Sequence, residues 1–127
     1  MNDPIASVVA FLRSLPDLPP GSVTGDMNAR EVGDPTVYVE PAGGYMALRD
    51  SMSRIYVYYE CYDTDKEKAA ERAFLVRRHL LRGLRDITVG GLYFLDSRDE
   101  EMPRYDPDSA SREHVYAGEV SLFYIEP

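Results

Sequence analysis

Two histidines, one cysteine and two short carboxylate runs are the residues of this chain with reactive potential, and their spacing decides what each can do. His79 lies among arginines and His114 opens an apolar segment, and neither has a Ser or Cys at the spacing of a nucleophile and its base. Cys61, His79 and His114 are too scattered to form a zinc site, whose ligands come in close pairs. Asp99-Glu100-Glu101 and Asp106-Pro107-Asp108 offer oxygen ligands, but lack the Gly and the alternate spacing of an EF-hand loop. Gly43-Gly44 and Gly90-Gly91 read as turns, because neither stands between a strand and a helix start with a lysine nearby. No enzyme, cofactor or metal is expected.

The stretch that must position everything else is Arg54 to Leu84. Ile55, Val57, Tyr59 and Cys61 alternate with Arg54, Tyr56, Tyr58, Glu60 and Tyr62. That period of two in β-branched and aromatic residues predicts a strand with one core face and one aromatic, charged face. At Asp63 the period changes. Thr64 and Glu67 fit a capping box, and Ala70, Ala73, Phe74, Leu80, Leu81 and Leu84 form a stripe at helical spacing. The helix is expected to bury Phe74 and its leucines, with Gly83 helping to end it. Cys61 reads as a small buried hydrophobe.

Around this core, Asp3-Pro4 predicts a helix start, and Ile5, Val8, Val9, Leu12 and Leu15 an amphipathic helix ending before Pro16. A short extended piece follows near Val23, then a polar loop over 25–35. Thr36 to Glu40 reads as a strand closed by Pro41 and Gly43-Gly44, while residues 45–53 fit either a loop or a cap on the core. Ile87–Val89 and Leu92–Leu95 make one bulged strand or two short ones. Asp96 to Arg112 reads as a long polar loop, and His114 to Ile125 as a final strand. The expected fold is a single α+β domain over 1–127, in the order α-β-β-β-α-β-β. Its antiparallel or mixed sheet carries both helices on one face.

The 127 residues carry a formal net charge of −8 and ten tyrosines. This acidic balance opposes non-specific nucleic-acid binding, which needs a basic surface. Residues 66–86 depart from it, with seven basic against three acidic side chains. The N-terminus lacks the basic start of a signal peptide, and no run is long enough to span a membrane, so a soluble protein of a reducing compartment is expected.

The opening DPIASVVAFLRSLPDLPPGSVTGDM, the strand TVYVEPAGG, the RIYVYYECYDTDKEKAAERA block and the late PRYDPDS and HVYAGEVSLFYIE segments resemble tail-terminator proteins of long-tailed bacteriophages, above all those of actinobacteria. The likeness lies in the order and spacing of these pieces over most of the chain. Relatives often carry Trp before the proline–aspartate turn, where Tyr105 stands here.

The resemblance implies a structural subunit that forms a hexameric ring with copies of itself. Such a ring caps the finished tail tube at the major tail protein and presents a joining surface to the head-completion connector. DNA passes through its lumen without specific binding. It implies a place at the tail–neck junction of the virion, assembly in the host bacterial cytoplasm, and no catalysis or cofactor. A ring needs two different complementary patches on each subunit. Arg72, Arg77, Arg78 and Arg82 on the helix are candidates for one, and an acidic loop over 96–113 with Tyr105, Asp106 and Asp108 for the other. Tyr56, Tyr58 and Tyr62 could supply a desolvated centre. A head-closure or connector ring protein is the nearest alternative, and a small ligand-binding or enzymatic α+β domain the alternative of another class.

Overall fold

Asp3 opens the first helix, its carboxylate accepting the Ile5 N–H at 2.9 Å, with Pro4 as the first helical residue. In the computed structural model, which describes residues 3–48, 51–107 and 110–127, this helix, α1, spans Pro4–Arg13. The chain continues through β1 (Val23–Thr24), a single 3-10 turn (Met27–Ala29), β2 (Thr36–Leu48), β3 (Met52–Asp63), α2 (Lys66–Gly83), β4 (Ile87–Val89), β5 (Leu92–Tyr105) and β6 (His114–Ile125).

The six strands form one mixed sheet in the order β1-β2-β3-β6-β5-β4, in which only β1 and β2 run parallel. Val8 and Leu12 of α1 share one buried cluster with Ala73, Val76 and Leu80 of α2 and with Val57, Tyr59, Val120 and Leu122 of the central strands. Both helices therefore pack on the same face, and the α+β architecture is as expected. Each fully buried Val, Leu or Phe of this layer contributes roughly 1.5–3 kcal/mol of transfer free energy.

The details differ from the sequence reading in four places. First, β2 does not close at Pro41 and Gly43-Gly44 but shifts register there and runs on to Leu48. Pro41 is tolerated because an outer strand needs no N–H on its free side. Gly44 is required by close approach, since a Cβ there would stand 2.3 Å from the Arg54 carbonyl oxygen. Second, the polar stretch after Leu95 is strand, not loop, as far as Tyr105. Its charges are compatible with pairing because β6 supplies its hydrogen bonds while its side chains project from an outer strand, with register shifts relieving the crowding. Ile87 to Leu95 accordingly divides into β4 and the start of β5, joined by Gly90 and Gly91 at φ +59° and +81°, the left-handed pair of a tight hairpin.

Third, α2 is capped by Asp65 rather than Thr64. The Asp65 carboxylate accepts the N–H groups of Glu67 and Lys68, and Asp63 accepts that of Asp65. Fourth, the buried stripe of α2 is Ala69, Ala73, Val76, Leu80 and Leu84, leaving Phe74 exposed and Leu81 half-buried. The small alanines let α2 lie close to the sheet, and the helix is thereby rotated away from the Phe74 side. Gly83 has a packing role as well as lying at the helix end: a Cβ would sit 2.3 Å from the Phe11 ring, so α1 and α2 touch there.

Candidate assembly surface

The helices leave the second face of the sheet uncovered over its centre, and the period-two alternation of β3 and β6 decides what it carries. With Val57, Tyr59 and Val120 turned to the core, Tyr56, Tyr58, Glu60 and Glu119 must project from the other side. One corner is covered. There Arg30, from the polar loop, lies 4.7 Å above the Tyr62 ring and makes a two-pronged pair with Glu113 at 3.0 and 2.5 Å.

Across the open centre runs a row of register partners: Glu40 on β2, Tyr58 on β3, Glu119 on β6 and Glu101 on β5. Three of the four are carboxylates. Burial, with Glu100 and Glu101 beside it, raises the Glu119 carboxyl above the ordinary glutamate value. Among the described residues Glu119 has no ion-pair partner. Burial, then Glu60 and Asp106, pushes the Tyr58 hydroxyl up to about 12, so it stays protonated. Glu40 accepts the Tyr38 hydroxyl at 3.0 Å.

Arginines hold one side of this face. Arg54 donates to Glu100 at 2.9 Å, to Ser121 at 3.0 Å and to the Tyr45 hydroxyl at 3.1 Å, and lies over the rings of Tyr56 and Phe123. Arg104 pairs with Glu101 at 2.6 Å. The result is an aromatic, carboxylate-rich surface with some of its negative charge unneutralised.

The residues singled out from the sequence are divided by the structure. Arg72 pairs with Asp63 at 3.0 Å; burial pushes the Asp63 carboxyl up, but the Asp65 N–H and Arg72 outweigh it and hold it low. Arg77 pairs with Asp99 of its own chain at 2.7 Å. The expected contact between basic helix and acidic segment is thus partly satisfied within one subunit. Arg78 and Arg82 are exposed and have no ion-pair partner among the described residues. Tyr56 and Tyr58 lie on the open face, whereas Tyr62 is buried beneath Arg30.

Tyr105 belongs to a different group at the end of β5. It bonds His114 Nδ1 at 2.7 Å, packs against Tyr116 and takes Lys66 over its ring. Asp106 follows, exposed, its N–H donated to the Val115 carbonyl, and Asp108 lies outside the described residues. Glu40, Glu101 and Glu119 do not stand out as a set in the sequence. Alternation along each strand gives their common face, but only the register aligns them.

Cys61 is wholly buried and its thiol is pushed up to about 12 by burial. Among the described residues no group of three or more His, Cys, Asp or Glu side chains is arranged to hold a metal ion, and no helix is long and apolar enough to cross a membrane. No protein-family model matches the chain. No curated protein sequence matches it either.

Proposed function

We propose that this chain is a structural subunit of the neck of a long-tailed bacteriophage, a tail terminator that forms a ring with copies of itself. The observation that carries the reading is the carboxylate row Glu40, Glu119 and Glu101 on the uncovered sheet face. Like charges placed opposite one another on a sheet weaken it, so such a row is expected where function favours negative charge. A face of this kind, turned toward a lumen, repels phosphate and lets DNA slide without sticking. The helix layer then lies outside. Its exposed Phe74, Arg78 and Arg82 are available to the major tail tube protein or to the head-completion connector.

A connector ring of the same neck would make the same use of an acidic lining. Deleting the gene from the phage and examining particles by electron microscopy separates the two. Overlong tails without heads are the result expected of a terminator. Headless tails of normal length would assign the protein to the connector, and intact phage would overturn both readings.

A further inference from the structure

Helix α2 turns its small residues inward and its one phenylalanine outward. Ala69, Ala73, Val76 and Leu80 are buried against the sheet, while Phe74 is 41% exposed. The other three phenylalanines of the chain are engaged. Phe94 is buried, Phe11 fills the space at Gly83, and Phe123 lies under Arg54 and Arg98. At about 3.6 residues per turn, Glu67, Glu71, Arg78 and Arg82 fall on the same outward stripe as Phe74, opposite the buried alanines. All four are exposed.

Those four charges are not neutralised within the subunit. Arg72, Arg77 and His79 of the same helix pair with Asp63, Asp99 and Asp17. Glu67, Glu71, Arg78 and Arg82 make no ion pair among the described residues. Their order is symmetric. Glu71 and Arg78 stand equally far from the point between Phe74 and Leu75, and so do Glu67 and Arg82. The stripe therefore reads acid, acid, aromatic, base, base. Turned end for end, it presents a base wherever the original has an acid. A second α2 laid antiparallel on the first sets Glu71 against Arg78 and Glu67 against Arg82, each twice, with both Phe74 rings at the centre. A parallel alignment would set like charges together. The helix macrodipole accounts for acid early and base late in a lone helix, but not for an aromatic ring left in water at the midpoint.

We propose that the outer face of α2 is a twofold docking surface, and that its occupant is the same helix of a second copy of this chain, antiparallel and centred on Phe74. Aromatic residues tend to carry the binding energy at the middle of such contacts, and the opposite charges on either side fix the register. The contact is isologous, so it closes at two copies and does not build a ring. It stands apart from the ring reading, and in the free protein it covers the patch that this reading leaves for the tube or the connector.

Sedimentation velocity on the full chain at low salt reads its mass against concentration. Phe74→Gln removes the central anchor and keeps a good helix former. Glu67→Arg/Glu71→Arg makes the stripe wholly basic, and Arg78→Glu/Arg82→Glu makes it wholly acidic. The expected results are a wild-type dimer and, at the same concentration, a monomer for each of the three variants. An equimolar mixture of the two reversed chains should recover the dimer, because opposite stripes then face one another along their whole length. Circular dichroism checks that each chain folds, and if a reversed chain does not, Phe74→Gln decides. A dimer that survives Phe74→Gln, or folded reversed chains that stay apart when mixed, overturns the helix pair. So does a wild-type chain that is monomeric at every concentration. Ring-sized species that all three variants form as the wild type does overturn the pair and leave the ring reading standing.

Discussion

Glu101 of β5 and Glu119 of β6 are register partners on the uncovered face, so two carboxylates stand opposite one another in the middle of the sheet. Arg104 neutralises Glu101, and Glu119 is left to its neighbours Glu100 and Glu101. A carboxyl whose value is raised in the folded state favours folding when it is protonated. Its contribution is full below the ordinary glutamate value of about 4.3 and is lost as pH rises through the higher folded value. Glu119→Gln is therefore expected to stabilise the subunit at pH 7 by about 0.2–1 kcal/mol, the range of cross-strand charge pairs. The gain should shrink toward pH 4. Urea denaturation at the two pH values checks this, and a loss of stability at pH 7 would mean that Glu119 has a favourable partner within the subunit.

Arg30 and Glu113 behave in the opposite sense. The Arg30 hydrogen bonds outweigh burial and, with the Gly33 N–H and the Ser111 hydroxyl, hold the Glu113 carboxyl below its ordinary value. This stability is present above the unfolded value of about 4.3 and is lost as pH falls through the lower folded one. With side-chain exposures of 9% and 2%, the pair is buried, and removing one member leaves an uncompensated charge. Glu113→Ala should cost about 3–5 kcal/mol at pH 7. The deficit against the wild type should narrow in acid, as read from denaturation midpoints at pH 7 and pH 3.

The Asp65 cap at the start of α2 is open to a direct check. Asp65→Ala removes the acceptor of two helix N–H groups and should cost about 1 kcal/mol. Thr64→Ala should lie within about 0.5 kcal/mol of the wild type, as most exposed substitutions do. Thermal unfolding followed at a helical wavelength ranks the two, and the reverse order would restore the capping box.

The sequence made some of this architecture legible and hid the rest for identifiable reasons. The alternation at Ile55–Tyr62 and the stripe at Ile5–Leu12 were clear because each buries one face against a large core. The strand character of Arg98–Tyr105 was hidden, because an outer strand keeps its charges in water and is made a strand by its partner β6, not by its own pattern. Phe74 misled for a related reason: the small Ala69 and Ala73 face the sheet, so size was a poor guide to burial. The glutamate row depends on the registers of four strands, which no single segment encodes.

Gly83 tests how closely the two helices are matched. The Phe11 ring occupies the space where a side chain would begin, so Gly83→Ala must push α1 away from α2 or turn the ring off its rotamer. Overpacking of this kind costs roughly 1–3 kcal/mol. In an exposed helix interior the same change is expected to gain about 1 kcal/mol, so the two effects have opposite signs at this site. Phe11→Leu opens the space but loses ring burial of its own. The double variant Gly83→Ala/Phe11→Leu should therefore be more stable than the two single changes predict together, with a coupling of about 0.5–3 kcal/mol. Chemical denaturation of the four chains measures it. A coupling near zero would mean that the helices separate freely at this point, and that Gly83 is there to end α2 and not to admit Phe11.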